Sequence, residues 1–368
     1  MALAITNVAG TLSNGQSVVI TGTDFGATGP TIEMFDDFEG GTNGNDIENQ
    51  SAKLGAWGDI AGRDSATYSN LNARGGSSSL SMRFWCGATG TEDYQQIRDS
   101  LSNATYVYQS WWTLMPSGQE WPGHSISNVN YKLSWLGAAG GWPDNDYAAL
   151  VVLGDPPSVA FTAGCDDPGD GPGQRYGYVD EGGIDIADFN MAIGTWIRFS
   201  AYFKGSESAG EVKFWQVSSE GNEQLSLTNS NPYTQDDGHP WTWINFPGYA
   251  RGETGTYPQF DDIYIATGAA AQARIEIGNN ATYANCTNLA VCTPTAWANG
   301  EITCTLRTGS FASDASCYLF VIDSSGSASS GYGITLGGIS SSSILHYAIN
   351  TPSMSATHKM NRRLHPKI

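Results

Sequence analysis

The sequence lacks long apolar runs and long stretches of helical periodicity. Its longest apolar runs, such as residues 148–153, are far shorter than the roughly 20 residues that a membrane-spanning helix needs, so we expect no membrane insertion. After Met1 there is no basic region, apolar block and small-residue cleavage site, so no signal peptide is visible. The missing helical periodicity, together with 45 glycines in 368 residues, indicates an all-β chain with many turns.

Basic residues are also scarce, with 17 Lys plus Arg against 36 Asp plus Glu and a net charge of −19. This charge keeps a protein soluble and repels phosphate backbones. The balance argues against nucleic acid as a partner, whereas it suits a solvated surface, a salty medium or bound cations.

Paired cysteine motifs are absent. The six cysteines lack the C-x-x-C spacing of a zinc site, and nothing resembles a phosphate loop, a dinucleotide fingerprint or a Ser-His-Asp nucleophile elbow. Four of the cysteines crowd residues 286–317. A hairpin turn at Asn299–Gly300 would bring Cys292 and Cys304 about opposite each other, so a disulfide and free buried thiols both remain open.

Short acidic loops supply the candidate metal ligands. In CDDPGDGPG, Asp166, Asp167 and Asp170 could offer oxygens to calcium, a cation that takes about six to eight oxygen ligands. The loop lacks the spacing and the terminal glutamate of an EF-hand, so a plain polar turn is the alternative. We therefore assign no certain cofactor and keep structural calcium as a candidate.

Strand-like runs follow one another through the middle of the chain, separated by Gly, Pro, Asn and Asp clusters. This succession is typical of a double-sheet jelly roll or sandwich. The runs are SSLSMRFW (78–85), DYQQIRDSL (93–101), YVYQSWWTL (106–114), NYKLSWLG (130–137), YAALVVLG (147–154), TWIRFSAYFKG (195–205) and EVKFWQVSS (211–219).

Residues 4–26 predict two short strands around the turn formers Asn14–Gly15, followed by Phe25–Gly26. This run resembles the opening of an IPT/TIG domain, an immunoglobulin-like fold. The continuation of that pattern is found only from residue 274 onward, in RIEIG and the strands after it. Together the two pieces have the size of one such sandwich, so the resemblance implies that the region between them is inserted into a loop.

The inserted region resembles the concanavalin A-like, laminin-G-like superfamily, which includes jelly-roll polysaccharide lyases and family 16-type glucanases. The resemblance lies in FDDFEGG (35–41), YVYQSWW (106–112), WIRFSAYFKG (196–205) and FDDIYIA (260–266). We expect FDDFE and FDDIYI to pair and close the insertion. The predicted fold is all-β: a discontinuous IPT/TIG domain (1–30 and 272–338), an inserted jelly-roll domain (31–271) and a flexible basic tail (339–368).

The run TWIRFSAYFKG has strict alternation, which places Ile197, Phe199, Ala201 and Phe203 on a core face. Its other face is expected to meet water, either on a solvated back or in a glycan-binding groove. Rings stack on sugars and cations pair with uronate or sulfate. The candidate ligand-binding residues on this face are Trp196, Arg198, Tyr202 and Lys204.

Residues 239–251, HPWTWINFPGYAR, are rich in proline and aromatic residues and are predicted to form a loop. Exposed aromatic residues in a loop suggest a platform for a sugar or a protein contact, with packing on the sandwich rim as the alternative. The candidate stacking residues are Trp241, Trp243 and Tyr249.

Resemblance to jelly-roll alginate lyases implies a second set of candidates. In such sites Gln and Arg neutralise the uronate carboxylate, while Tyr and His handle the proton and the leaving oxygen. The corresponding residue types here are Gln96, Arg98, Tyr202 and His124. QQIRD has Arg98 where the family motif has histidine, and the paired-carboxylate motif of the family 16 glucanases is absent.

These features predict a carbohydrate-binding or adhesion protein of an extracellular surface or a virus particle, of decoration or fibre type. A polysaccharide lyase that cleaves an anionic glycan by β-elimination is the first alternative, and a purely structural surface protein is the second. The expected partner is a polysaccharide or surface glycan, with self-association or other particle proteins as further partners.

Overall fold

The computed structural model describes residues 2–61, 66–85, 94–119, 121, 130–138, 147–153, 158–164, 184–186, 192–206, 208–225, 234–235, 239–251 and 256–338. Within these ranges the regular structure is almost entirely β, which confirms the predicted all-β class. The exception is a single 3-10 turn at Tyr283–Asn285. The described part of the chain contains no helix that is long and apolar enough to span a membrane.

The strands in chain order are β1 (Ala4–Gly10), β2 (Ser17–Thr23), β3 (Thr31–Asp36), β4 (Asp59–Ala61), β5 (Ala66–Ser69), β6 (Ser81–Phe84), β7 (Tyr94–Ala104), β8 (Tyr106–Leu114), β9 (Asn130–Ala138), β10 (Tyr147–Leu153), β11 (Ser158–Gly164), β12 (Ile184–Ile186), β13 (Ile197–Lys204), β14 (Glu211–Ser218), β15 (Gly221–Leu225), β16 (Trp241–Arg251), β17 (Gln259–Thr267), β18 (Arg274–Gly278), β19 (Leu289–Ala298), β20 (Glu301–Thr305), β21 (Ser316–Ile322) and β22 (Tyr332–Thr335). All the runs that the sequence predicts as strands are found among them.

Three sheets contain these strands. The terminal sheet has the order β1-β2-β20-β19-β18-β21-β22, and so joins strands from both ends of the chain. The middle sheet has the order β15-β14-β13-β8-β17-β6-β5, with β3 also paired to β17, and the outer sheet has the order β12-β11-β10-β9-β16-β7-β4. All the strand pairs are antiparallel.

The terminal sheet encloses its own core. β19 pairs with β18 through Leu289–Cys292 and with β20 through Thr293–Ala298, so it links two halves that pack on each other. Apolar side chains from both halves form one cluster, among them Val8, Ile20, Ile275, Cys304 and Leu319. The assignment of residues 1–30 and 272–338 to an IPT/TIG domain stays a prediction, and residues 339–368 lie outside the described part.

The central strands of the middle sheet, β8, β13 and β17, are buried on both faces. One face packs against the outer sheet, where Trp111, Phe199 and Phe203 meet Leu136 and Ile244 in the largest apolar cluster. The other face packs against the terminal sheet, where Tyr108 clusters with Val291 and Trp112 clusters with Leu289. Double coverage explains why eight of the nine residues of β8 are buried, since a strand between two layers has no solvent face.

The two ends of the middle region meet as expected. β3 and β17 pair antiparallel, with Phe35 opposite Tyr264 and Asp36 opposite Ile263. The pairing of FDDFE with FDDIYI is therefore confirmed at these positions. It brings residues 31 and 267 side by side, next to the terminal sheet.

The predicted loop at 239–251 is wrong, because residues 241–251 form β16 in the centre of the outer sheet. β16 pairs with β7 on one side and β9 on the other, and its register shifts between Asn245 and Tyr249. Pro247 and Gly248 lie in this irregularity. A proline is tolerated at a bulge in an inner strand because the ladder is already interrupted there.

Candidate functional site

The ligand-binding face proposed for β13 is covered by the terminal sheet. Arg198 is 2% exposed and Tyr202 is 5% exposed, so the prediction that this face meets water is wrong at both positions. Tyr202 packs in a cluster that includes Val291 of the terminal sheet. The strand's alternation was read correctly, because Phe199, Ala201 and Phe203 face the core, but a second protein layer occupies the place expected for solvent or sugar.

Ionic contacts hold this covered face. Arg198 Nη2 lies 2.5 Å from Glu276 Oε1, and Arg274 Nε lies 3.0 Å from the same oxygen. The hydroxyl of Tyr283 donates to the other carboxylate oxygen of Glu276. Burial raises the pKa of Glu276, but Arg198 and Arg274 together lower it to about 2. Arg198 is therefore engaged within the protein and has no free face for a glycan.

The two ends of the same strand are less deeply covered. Trp196 is half-buried, and its Nε1 donates to the carbonyl of Asn72 at 3.1 Å. Lys204 is half-buried at the other end, where its carbonyl accepts a bond from Thr234. Burial raises the pKa of Tyr202 to about 12, which makes this phenol a poor general acid or base near neutrality.

The aromatic residues of β16 divide between the two faces of the outer sheet. Trp241 is fully buried in the core against Phe203, with ring centroids 6.3 Å apart, so its predicted exposure to a sugar is wrong. Trp243 lies outside that core cluster, on the face of the outer sheet turned away from the middle sheet. Its ring lies over the backbone of Gly137, and its Nε1 donates to the carbonyl of Ala138 at 2.9 Å.

The backbone register of the outer sheet brings several predicted site residues together. Tyr249 pairs with Gln96 on one side and with Lys132 on the other. Asn245 likewise pairs with Arg98 and with Trp135. Residues directly opposite one another share a face of a sheet, so these two triplets form adjacent rows across β7, β16 and β9. We call them the polar rows.

Two side chains of the polar rows, Lys132 and Trp135, contact each other, and Trp135 also contacts Trp243. Lys132 Nζ lies 4.4 Å from the centroid of the Trp135 ring. The rings of Trp135 and Trp243 meet edge to face, with centroids 5.3 Å apart. Trp135 is half-buried, whereas Lys132 and Trp243 are each 8% exposed. The result is an aromatic pair with an ammonium group against one of its rings.

Lys132, Trp135 and Asn245 were not among the residues predicted from the sequence. Simple alternation would place Lys132 and Trp135 on opposite faces of β9. The pairing with β10 shifts between Leu150 and Val151, which leaves one extra residue in β9 and turns Lys132 toward Trp135. A bulge of this kind has no reliable signal in a single sequence.

Several predicted residues cannot be placed in a site. His124, Asp166, Asp167 and Asp170 lie outside the described residues, so their predicted roles stay predictions. Within the described residues, no group of three or more His, Cys, Asp or Glu side chains is arranged to hold a metal ion. The cysteines at 286, 292, 304 and 317 are buried and free, so the disulfide between Cys292 and Cys304 is not formed.

A narrow cleft lies where the middle and terminal sheets meet, and it contains three carboxylates of the FDD motifs, those of Asp37, Asp261 and Asp262. Arg74 pairs with Asp262 there and also donates to Asn288 of the terminal sheet. The cleft is lined by Asn14, Asp37, Glu39, Arg74, Asp261, Asp262, Arg307 and Ser310. The guanidinium of Arg74 therefore already pairs with a carboxylate of the cleft, and we interpret the cleft as a further contact between the two sheets.

No family model and no curated protein matches the sequence. Among solved structures, the chain is similar to Cip1, a cellulose induced protein, at 17% identity and a TM-score of 0.38, over 64% of this chain and 98% of that one. It is similar to alginate lyase vAL-1 from Chlorella virus at 9% identity and a TM-score of 0.37, over 58% and 93%.

A third similar structure is the catalytic domain of a glycoside hydrolase family 131 protein from Coprinopsis cinerea, at 13% identity and a TM-score of 0.37, over 65% of this chain and 95% of that one. These TM-scores and identities are low. The function proposed below rests on the residues of the polar rows.

Proposed function

We propose that the protein binds an anionic polysaccharide on the face of the outer sheet that carries the polar rows. The observation that carries this proposal is the half-buried Trp135, which contacts the more deeply buried Lys132 and Trp243 and has Gln96 and Arg98 in register beside it. The rows run across three neighbouring strands, and an extended polymer can follow such a surface over several sugar units.

The residue types suit a charged sugar chain. An indole offers a flat apolar surface to the C–H groups of a pyranose ring. Lysine and arginine pair with carboxylate or sulfate, and arginine can do so through two parallel hydrogen bonds. Amide side chains such as those of Gln and Asn both donate and accept, which matches the hydroxyl groups of sugars.

The binding proposal is tested by affinity electrophoresis in gels that contain alginate, heparin or a neutral glucan. We expect retardation by an anionic polymer, and about a tenfold loss of affinity in Trp135→Ala and in Lys132→Ala, since one such contact contributes about 1.4 kcal/mol. Trp196→Ala, just before β13, and Lys204→Ala, at the end of β13, are matched controls away from the outer sheet. Equal loss in the controls, or no retardation by any polymer, would reject the proposal.

A polysaccharide lyase is the second candidate, because the register supplies an alternative to the buried Tyr202. Tyr249 lies directly opposite Gln96 and Lys132, in the row next to Arg98. In β-elimination a base removes the proton beside the uronate carboxylate, cations and amides stabilise the resulting charge, and an acid protonates the leaving oxygen. Tyr249 and Lys132 would handle the protons, and Gln96 and Arg98 would stabilise the carboxylate.

Lyase activity is measured by the ultraviolet absorbance of the unsaturated uronate product. A pure binding protein produces none with any polymer that it retains. If product forms, Tyr249→Phe should abolish it with little loss of binding, while Tyr202→Phe should leave it unchanged. Placement of the protein on an extracellular surface or a virus particle stays a prediction, and so does a purely structural role, which would show as no glycan binding at all.

A further inference from the structure

Three buried hydroxyl groups on the covered face of the middle sheet have no hydrogen-bond partner among the described residues. They belong to Tyr108 and Ser110 of β8 and to Tyr264 of β17, and each of these residues is 0% exposed. We call them the hydroxyl cluster. A buried hydroxyl without a partner costs free energy, so each of these groups calls for a partner that the surrounding strands do not supply.

The strand register places the hydroxyl cluster in one area between the middle and terminal sheets. Tyr264 lies directly opposite Ser110, and the rings of Tyr264 and Tyr108 meet edge to face with centroids 6.1 Å apart. On its other side Ser110 lies opposite Ser200 of β13. Paired residues share a face of a sheet, so two small serine side chains lie side by side, with larger side chains around them.

Arg198 lies beside the hydroxyl cluster and has few acceptors. It is opposite Trp112, the next residue after Ser110 on this face of β8, which makes Arg198 a diagonal neighbour of Ser110. Its one hydrogen bond to a described residue goes to Glu276, although a guanidinium has several N–H donors. Because Arg198 is 2% exposed, bulk solvent does not supply the other acceptors.

The charges next to the hydroxyl cluster are unequal. Arg198 and Arg274 share the single carboxylate of Glu276, and all three residues are buried. The guanidinium of Arg274 also lies 4.3 Å from the centroid of the Tyr108 ring, which connects these charges to the cluster. Two cations with one anion leave an excess positive charge in a place shielded from water, where an unbalanced charge is costly.

The carboxylates of the neighbouring cleft do not remove this excess. Asp262 pairs with Arg74. Burial and the charge of Asp262 raise the pKa of Asp261 well above its usual range, which favours the neutral form of Asp261. Asp262 therefore balances Arg74, and Glu276 remains the counter-charge of Arg198 and Arg274.

We propose that the layer between the middle and terminal sheets binds a small monovalent anion, such as chloride, above Ser110. The anion accepts hydrogen bonds from the hydroxyl cluster and from Arg198, and it neutralises the excess positive charge. A water molecule could accept some of the same bonds, but it would leave the charge unbalanced. The site is enclosed by two sheets, which favours a halide over a larger ion.

The protonation of the cluster suits an anion. Burial raises the pKa of Tyr264, so its hydroxyl keeps its proton and remains a donor near neutrality. Arg198 comes from the middle sheet and Arg274 from the terminal sheet, so an anion beside them would strengthen the contact between the sheets. This site goes beyond the proposed glycan function and does not depend on it.

Crystals of the unmodified protein prepared with bromide as the halide test the site directly. We expect an anomalous-scattering peak between the two sheets, within hydrogen-bond distance of the hydroxyl groups of Ser110 and Tyr264. A water-sized peak without anomalous signal at this position would overturn the proposal. Anomalous peaks only on the outer surface, which would show an adventitious ion only, would also overturn it.

Urea denaturation at constant ionic strength, with chloride exchanged for gluconate, gives a second test in solution. Because an ion that binds only the folded state stabilises it, the equilibrium constant for folding should rise up to about tenfold for each tenfold increase in chloride above its Kd. Tyr264→Phe keeps the ring and removes one donor, so it should move the chloride dependence to about tenfold higher concentration.

Tyr332→Phe, at a half-buried tyrosine of β22, is the matched control and should behave as the unmodified protein. Stability of the unmodified protein that does not vary with chloride, or an unchanged chloride dependence in Tyr264→Phe, would reject the anion site. None of these measurements involves a glycan, so the binding proposal is tested separately.

Discussion

Arg198 of the middle sheet and Glu276 of the terminal sheet form an ion pair, 2.5 Å between Nη2 and Oε1, in which both side chains are almost fully buried. Taking two charges out of water is costly, and only good geometry with further hydrogen bonds compensates for it. Here Glu276 also accepts from Arg274 and from Tyr283. The pair therefore fixes the orientation of one sheet on the other, and separation of the sheets would leave these charges without their partners.

Glu276→Gln should lower the free energy of unfolding by about 3–5 kcal/mol, because it leaves the guanidinium groups of Arg198 and Arg274 buried without a counter-charge. Arg198→Leu should cost less, since Glu276 would keep its contact with Arg274. Urea denaturation followed by tryptophan fluorescence measures both losses. Glu301→Gln, at an exposed position of β20, is the matched control. A Glu276→Gln protein as stable as the control would contradict the role assigned to the pair.

Stability should pass through a maximum in mildly acid solution. The pKa of Glu276 is lowered to about 2, so its contribution is present above its unfolded value of about 4.3 and is lost as the pH falls toward 2. Burial raises the pKa of Asp36 to about 6 and that of Asp99 to about 7, so these groups act oppositely, and their contribution is lost as the pH rises from about 4 to about 7. Urea denaturation at pH 2, 4, 5 and 8 should therefore give the largest free energy of unfolding at pH 4.

The Asp99→Asn variant is the control for this dependence of stability on pH. It should reduce the difference between pH 5 and pH 8 by about 2–4 kcal/mol, because a shift of one pKa unit corresponds to about 1.4 kcal/mol. A steady rise in stability from pH 5 to pH 8 would show that these carboxyl groups are not buried.

Alternation in TWIRFSAYFKG is enough to predict this strand and its core face. In TWIRFSAYFKG the apolar positions 199, 201 and 203 do face the main core. The other face could not be assigned, because a row of Arg, Ser and Tyr is equally compatible with water and with a second polar layer. The face is covered by protein because Arg198 pairs with the carboxylate of Glu276, a residue 78 positions away in the chain that the local pattern cannot reveal.

The candidate site was predicted only in part, for a related reason. Gln96 and Arg98 were selected from a strand pattern, and the register does place them beside Tyr249 and Asn245. The sequence does not predict Lys132 and Trp135, because a bulge puts on one face two residues that simple alternation places on opposite faces. Proline and glycine usually end strands, so the sequence predicts a loop at 239–251, whereas in the structure these residues occupy an irregularity within β16.

The four described cysteines should remain thiols in the folded protein and react slowly. Burial raises the pKa of Cys286 to about 11 and that of Cys317 to about 12, which keeps both in the less reactive protonated form. We expect a thiol reagent at pH 8 to label positions 286, 292, 304 and 317 only after denaturant is added, as measured by peptide mass spectrometry. Reductant should leave the thermal unfolding midpoint unchanged, whereas a fall in the midpoint would indicate a disulfide among them.

Gly137→Ala should weaken polysaccharide binding by displacing an aromatic ring. A Cβ at residue 137 would lie 1.9 Å from the ring of Trp243, far inside van der Waals contact, so the indole would have to move away from Trp135 and lose its bond to Ala138. We expect at least about a tenfold loss of affinity for the anionic polymer, because the aromatic pair would be broken. Gly40→Ala, where the nearest neighbouring atom is the Lys53 ammonium at 3.9 Å, controls for the general effect of replacing a glycine. Unchanged binding in a folded Gly137→Ala protein would remove Trp243 from the site and leave Lys132 and Trp135 as its centre.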